Sequence, residues 1–475
     1  MALQSTAPYD MNTPLRGWTT IAGAVILLLA VLSVTYPPYS AIAIIAGSVG
    51  VVLLLARPDI AFALFFAAET LISEDVLLIT ERLKPTLYYY TVPGLGLNPF
   101  EIALLALVAA TLLHRKGRLY GTRLDGVMIG FGLACLLGYI TCIRLYGDPG
   151  RLFEPRRLLH FYLAYFLTVN LIRSKQALKM FLMVFFAAVA LKGLQGVFLY
   201  TLGEGLQIKW KIRAIFTGWG DSLNFVTMLL ILAAFVLDRA PLPAKRLWLV
   251  ATPIVLFSFL FSYKRAYYVA LVVGLLVLFL MQKGRARVRF MTSAFVGFLL
   301  LLILITAAGQ WRPIGMRFES ILNPTKESSA NYRLVEWQNA LISIRKNPTS
   351  GIGLGGVMPM EIYLSRTNLL GVHNTYLWVA VKMGAVGLFA YLLLQLAFVK
   401  RLLRQNQALH DPFLRTLSRG LTCVFAAFCA AQMFAPMFIQ MRTSTWFGVI
   451  LGIGMLLSTL DQRHAPEQPE TLSQP

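Results

Sequence analysis

The sequence predicts an all-α protein: a polytopic membrane helix bundle of about 12–14 transmembrane helices, with one large outer loop containing an amphipathic helix. Three observations carry this reading. Of 475 residues, 57% are hydrophobic and only 13% charged. The apolar residues fall in runs near twenty long, the length that crosses a hydrocarbon core. Lys and Arg gather in alternate connections, as they do in short cytoplasmic loops.

Read in order, the apolar runs place spans near 17–36, 38–56, 59–78, 99–114, 124–145, 157–173, 176–201, 222–238, 245–262, 264–282, 289–309, 373–399, 415–438 and 441–460. The first follows Leu15-Arg16-Gly17-Trp18 without a small-residue cleavage site, so it reads as a retained span. With the N-terminus inside, the inner connections receive Arg115-Lys116-Gly117-Arg118, Arg173 with Lys175, Lys245-Arg246, Lys283 with Arg285, Arg287 and Arg289, and Lys400-Arg401 with Arg404. Segments 73–98, 202–221 and 310–372 then lie outside, and both termini inside. The chain divides into spans 1–11 over 1–309, the outer loop 310–372, the remaining spans over 373–460, and a polar tail, 461–475. No internal repeat is visible.

Within the outer loop, Tyr332, Val335-Glu336-Trp337, Ala340-Leu341 and Ile344 recur every three and four residues, which predicts an amphipathic helix from Ser329 to Asn347 ended by Pro348. Such a helix would lie along the headgroups with Trp337 inserted, or pack over a cavity as a lid. The glycine cluster Gly351-Ile352-Gly353-Leu354-Gly355-Gly356 follows and permits tight turns beside a ligand. It satisfies the dinucleotide spacing G-x-G-x-x-G, but no strand precedes it and no βαβ unit surrounds it, so that reading fails.

The formal net charge is +22. Inner-loop bias explains part of it, but Arg144, Arg151, Arg156, Arg157, Lys209, Lys211, Arg213, Lys264, Arg265, Arg312, Arg317, Arg333, Arg345, Lys346 and Arg366 all fall on or near the outer side. A face rich in guanidinium suits an anionic ligand handled outside the cytoplasm. Nucleic acid is excluded as a partner, since no soluble basic domain exists to hold it. Cys135, Cys142, Cys423 and Cys429 lie inside spans without metal-ligand spacing and read as small buried residues.

Among ionisable groups at membrane depth, Lys264-Arg265 stands out: it interrupts two apolar runs, and a charge at a helix centre costs about 2.5–3.5 kcal/mol on insertion scales. Arg213 lies in the outer loop before Phe216-Thr217-Gly218 and Asn224, and Arg156-Arg157 sit at the mouth of the sixth span. Lys192, about 13 Å of helix rise inside its span, calls for a buried partner such as Glu69 or Glu101. His373 begins a span at the end of the outer loop and is followed by Asn374, a good helix cap. The positive end of that helix favours a neutral imidazole, which can accept a proton. No Ser-His-Asp set, carboxylate pair at known spacing, or zinc motif is visible, and no metal site is expected.

Arg333, Trp337, Asn347-Pro348, Gly351, Gly353, His373-Asn374, Leu377, Gly384 and Gly387-Leu388 occur in an order and spacing that resembles the O-antigen ligases and their relatives, the polysaccharide polymerases and bacterial protein O-oligosaccharyltransferases. The match covers about 55 residues; Arg213 and the stretch Ser262 to Arg265 are weaker matches. The resemblance implies an integral-membrane glycosyltransferase of the bacterial inner membrane. It would act at the periplasmic face, with 310–372 a periplasmic loop. It would move a glycan from undecaprenyl pyrophosphate to an acceptor hydroxyl, that of lipid A-core for a ligase or of another lipid-linked repeat for a polymerase, in lipopolysaccharide or other cell-surface polysaccharide biosynthesis. No cofactor and no metal are implied. Arg265 and Arg213 take the pyrophosphate-binding roles, with Lys264, Arg156 and Arg157 as further donor-binding cations. His373 takes the acceptor-activating role, and Arg333, Trp337, Asn374, Gly351 and Gly353 serve acceptor or lid. Where the family commonly carries Ser-Arg-Gly, this chain has Ser262-Tyr263-Lys264-Arg265-Ala266, so Lys264 and Arg265 share the assignment. A flippase or transporter for an anionic lipid also needs many spans and a basic cavity, but should show basic ligand-binding groups accessible alternately from both faces and helices broken near the midplane, whereas the distinctive groups here gather on one side.

Overall fold

A computed structural model describes residues 50–72, 96–113, 119–201, 206–208, 212–214, 219–307, 309, 311, 315, 328–359, 361–362 and 372–462. The expected span 17–36, most of 38–56 and the end of the tail lie outside these residues. The rest follows the apolar runs closely: α1 Pro58–Leu71, α2 Pro99–Leu113, α3 Asp125–Tyr146, α4 Phe153–Leu171, α5 Lys175–Thr201, α6 Trp219–Leu237, α7 Lys245–Leu260, α8 Arg265–Met281, α9 Arg285–Ala307, α10 Ser328–Lys346, α11 Thr375–Ala408, α12 Pro412–Gln432 and α13 Met441–Gln462. Between α5 and α6 lies a small addition to the all-α plan, an antiparallel hairpin of β1 Leu206–Ile208 and β2 Ile212–Ala214. Among the described residues, α3, α5, α6, α9, α11, α12 and α13 are long and apolar enough to cross a membrane, and α2 and α8 are shorter apolar helices. The protein is a multi-pass helical membrane bundle.

Helix ends follow local chemistry. Asp411 caps α12, its carboxylate accepting from the Leu414 N–H at 3.0 Å, with Pro412 at the first helical position where a missing N–H costs nothing. Asn374 caps α11 by accepting from the Leu377 N–H at 3.0 Å, as the sequence predicts. The centre of the bundle is aromatic: Phe447 stacks on Phe161 at 4.9 Å between centroids and meets Phe428 at 4.7 Å. Gly448 and Gly452, one turn apart on α13, let that helix lie directly on α4. A Cβ at Gly448 would fall 2.2 Å from the Phe161 carbonyl oxygen, and one at Gly452 2.6 Å from Thr168. Small residues at such a seam bring backbones close where lipid supplies no hydrophobic drive.

Polar contacts define two ends. At one, Lys175 pairs with Asp411, Arg419 with Asp238 at 2.9 Å, and Asp461 accepts from the backbone N–H groups of His410 and Asp411. At the other, Arg442 at the start of α13 pairs with Asp221 at the start of α6, and Asn98 just before α2 reaches Met441 Sδ at 3.3 Å. There His160 of α4 lies 3.4 Å from Thr445 Oγ1, Ser222 Oγ donates to Ser262 Oγ at 3.2 Å, and Tyr267 Oη lies 3.8 Å from Met437 Sδ. The Met437 N–H in turn donates to Thr375 Oγ1 at 2.9 Å. Six helices, α2, α4, α6, α8, α11 and α13, therefore begin at this second end. Lys192 is held here by Asp221 at 3.8 Å and the Leu71 carbonyl at 3.0 Å, while Glu101, one of its expected partners, pairs with Arg156. That carbonyl ends α1, and a cation there also meets the helix's negative dipole end.

The glycine cluster forms the turns expected of it, and Gly351 and Gly353 pack inside the bundle. α11 is broken at Gly384 (φ 62, ψ −160), and the segment after α10 enters the break. The Ile352 and Gly353 N–H groups donate to Val381 and Lys382 carbonyls at 2.8 and 2.9 Å, the Ala385 N–H to the Pro348 carbonyl at 2.8 Å, and the Leu354 N–H to Gly138 of α3 at 2.9 Å. A Cβ at Gly353 would lie 2.4 Å from the Cys142 nitrogen, one at Gly351 2.4 Å from the Val381 oxygen, and one at Gly384 2.2 Å from the Thr349 oxygen. Residues 351, 353 and 384 also have positive φ, so glycine is needed twice over. Below the loop, Lys382 and Glu154 form a fully buried pair at 2.7 Å, completed by the Gly355 N–H on the carboxylate and the Gly356 carbonyl on the ammonium.

Candidate active site

The amphipathic helix predicted across 329–347 forms as α10, and it brings a carboxylate to His373. Glu336, with 1% of its side chain exposed, accepts from the His373 backbone N–H at 2.9 Å and faces Nδ1 of the same residue at 3.0 and 3.1 Å from its two oxygens. The imidazole itself is 32% exposed. A carboxylate accepts only, so it selects the tautomer with hydrogen on Nδ1 and the lone pair on Nε2, and it stabilises the imidazolium formed when Nε2 takes a proton. Asn374 and Thr375 hold the ring's backbone: the first caps α11, and Thr375 Oγ1 donates to the Ala435 carbonyl at 2.7 Å.

Trp337, beside Glu336, packs its ring 6.4 Å from that of Phe434, so its face of α10 lies against the bundle. Asn339, one turn further, accepts from the Glu361 and Ile362 N–H groups at 2.6 and 3.1 Å, tying the segment after the glycine cluster back onto α10. Arg333 is half-buried on α10, one turn before Trp337 and on the side that carries Glu336.

Lys264 and Arg265, both half-buried, open α8 at the same end of the bundle, directly after Tyr263 in the left-handed region (φ 51). Arg265 is linked to the histidine through Tyr267, Met437 and Thr375 by the contacts above. The six helix starts gathered here each present roughly half a positive charge and suit an anion. Arg213 lies on β2 opposite Gln207, in the connection that leads into α6. Arg156 is engaged in a two-point pair with Glu101, which also accepts from the Asn98 N–H, so its fork serves the protein itself. Arg157 is buried with its guanidinium 3.4 Å above the Phe153 ring. Both stand at this end, built into the start of α4.

Sequence reasoning missed Glu336 and Arg442. A signal existed for each. Glu336 falls on the apolar stripe of α10, in line with Ala340, and an acidic side chain on a buried stripe needs a partner. Arg442 is a lone cation in the apolar run 441–460, at the depth where such residues carry a purpose. The backbone break at Gly384 left no comparable mark.

Residues 249–392 match a family model described as O-Antigen ligase. The matched segment runs from within α7 through Lys264-Arg265, α10, the glycine loop and His373 to the middle of α11. No curated protein matches the chain.

Proposed function

Taking as premise that the chain belongs to the O-antigen ligase and polymerase family, we propose that it transfers a glycan from undecaprenyl pyrophosphate to an acceptor hydroxyl, at the periplasmic side of the bacterial inner membrane. The observation that carries this reading is the Glu336–His373 pair, a general base with its orienting carboxylate, set among helix starts and basic side chains at one end of the bundle. His373 Nε2 takes the acceptor's hydroxyl proton as that oxygen attacks the anomeric carbon. The bond from that carbon to the phosphate oxygen breaks, and lipid pyrophosphate leaves with the bonding electrons. Arg265 and Arg213, with Lys264 beside them, neutralise the charge growing on the leaving group. One well-placed donor of this kind contributes about 3–4 kcal/mol in a dry site, and arginine offers a bidentate contact that lysine lacks.

Purified protein supplied with a defined undecaprenyl-pyrophosphate glycan and candidate acceptors tests this. Wild type transfers, whereas His373→Ala and Arg265→Lys fall about 100-fold or more at unchanged protein level; normal transfer by both variants refutes the assignment. Chains lengthened from lipid-linked repeat alone identify a polymerase, and a requirement for lipid A-core identifies a ligase.

A further inference from the structure

At the end of the bundle opposite His373, a cavity of about 240 Å³ opens where the connection before α3, the end of α4, the last part of α11 and the end of α13 meet. At about 30 Å³ per water it holds roughly eight waters, ample for a phosphate group. Three of these elements each send an arginine to its wall, Arg123, Arg173 and Arg401, and α13 adds the hydroxyls of Ser458 and Thr459. No Asp or Glu lines it among the described residues. The carboxylates next to the lining residues in the chain are already engaged. Asp125 accepts from the Thr122 N–H and hydroxyl at 2.7 Å each and from the Tyr165 hydroxyl at 2.8 Å, and Asp461 accepts from the backbone of His410 and Asp411.

Arg401 is the informative member. Its Nη2 donates to Ser458 Oγ, while its Nε is buried with no hydrogen-bond partner among the described residues. It also lies in the field of Arg123 and Arg404. Basic residues that merely mark the cytoplasmic side extend into water, where crowding is screened and every N–H is solvated. Guanidinium groups from three separate elements, turned onto one cavity that no carboxylate lines among the described residues, are an arrangement that an anion completes.

We propose that this cavity is a binding site for a phosphate group, its oxygens held by the forks of Arg123, Arg173 and Arg401 and by the Ser458 and Thr459 hydroxyls. Arg401 lies 26 residues past Thr375 on α11, about 39 Å of helix rise, so the site is separate from the histidine end. The phosphate comes from the headgroup of an anionic phospholipid or from free phosphate, and basic pockets between membrane helices suit the former.

The test uses detergent-purified full-length protein. Its melting temperature is titrated with dioctanoyl-phosphatidylglycerol, dioctanoyl-phosphatidylcholine, sodium phosphate, or sodium chloride at matched ionic strength, and retained lipid is counted by native mass spectrometry. Saturable stabilisation by phosphatidylglycerol but not by phosphatidylcholine, weakened about tenfold in Arg401→Gln and in Arg123→Gln and unchanged in Arg246→Gln, supports a lipid headgroup site. The same pattern with sodium phosphate identifies free phosphate as sufficient. Arg246 is an exposed cation at the same end, outside the cavity, and Arg123 is exposed and precedes α3, so its variant carries the comparison should Arg401→Gln fail to fold. Equal responses to phosphatidylglycerol and phosphatidylcholine without a phosphate response, or titrations of Arg123→Gln indistinguishable from wild type, overturn the proposal.

Discussion

Glu336→Gln separates a positioning carboxylate from a merely buried one. In the wild type, one carboxylate serves both the His373 backbone N–H at 2.9 Å and the ring nitrogen at 3.0 Å. Glutamine keeps the shape but has one accepting oxygen and a donating NH2. An oxygen in the Oε2 place can still reach both N–H groups, but the neutral amide no longer stabilises the imidazolium, and its NH2 in the Oε1 place, 3.1 Å from Nδ1, favours the tautomer in which Nδ1 accepts and the lone pair leaves Nε2. A hydrogen bond to a charged group is worth about 1.5–3 kcal/mol, or roughly 10- to 150-fold, and inverting the tautomer of a catalytic histidine costs up to about 10⁴ elsewhere. We expect kcat for glycan transfer to fall about 10²- to 10³-fold, with donor KM and protein yield near wild type. The decisive measurement is the cycle with His373→Ala: once the imidazole is gone, Glu336→Gln should cost nothing further in transfer. Full activity in Glu336→Gln, or an equal loss in both backgrounds, refutes the positioning role.

Gly353→Ala places a Cβ 2.4 Å from the Cys142 backbone nitrogen at φ +86, so a large drop in melting temperature and in membrane yield is expected. Lys382→Met strands the Glu154 carboxylate, 2% exposed, and should destabilise by about 3–5 kcal/mol; combining it with Glu154→Gln should recover most of the loss in denaturation of the purified protein. Burial opposes charge on Asp411, yet the Lys175 ammonium and the Leu414 and Phe413 N–H groups hold its carboxyl below the usual range. The unfolded chain then takes up that proton first, so the stabilisation is complete well above the unfolded value of about 3.9 and lost as pH falls below it toward the folded one. Melting temperatures read from pH 6 to pH 3 should fall less steeply in Asp411→Asn than in wild type.

The fold was largely legible because lipid and water act on long stretches of chain. Apolar runs fix where α2 to α9 and α11 to α13 form, and successive helices alternate between two ends, Lys175 and Asp411 meeting at one and Arg442 and Asp221 at the other. The period of three and four residues located α10 nearly to the residue. The site was legible in part. His373 and Asn374 announced themselves by standing where a polar segment re-enters an apolar one, and the cap followed from residue type. Pairings did not follow, because they join positions far apart in the chain: Glu336 to His373, Lys192 to Asp221, Arg156 to Glu101. A sequence shows that a buried charge needs a partner, not which of several it takes. The glycines were legible as turns, but what they pack against was not: the missing side chain permits a turn and a close backbone approach alike, and the neighbours at Cys142 and Val381 appear only in the fold.

Those neighbours give the glycine loop a bearing on the histidine. α10 and α11 lie side by side and are joined at two places, where Glu336 meets His373 and where the Pro348 carbonyl receives the Ala385 N–H. Twelve residues separate Glu336 from Pro348, and twelve separate His373 from Ala385. Most of each stretch is helical, α10 as far as Lys346 and α11 from Thr375 to the break at Gly384, so α10 is tied alongside α11 near both of its ends. The break at Gly384 admits the loop to the lower attachment, and the Lys382–Glu154 pair with the Gly355 and Gly356 backbone fastens it against α4. A carboxylate at the upper attachment is thereby held against an imidazole by packing that begins well inside the bundle. Gly353 belongs to that packing through its N–H bond to the Lys382 carbonyl.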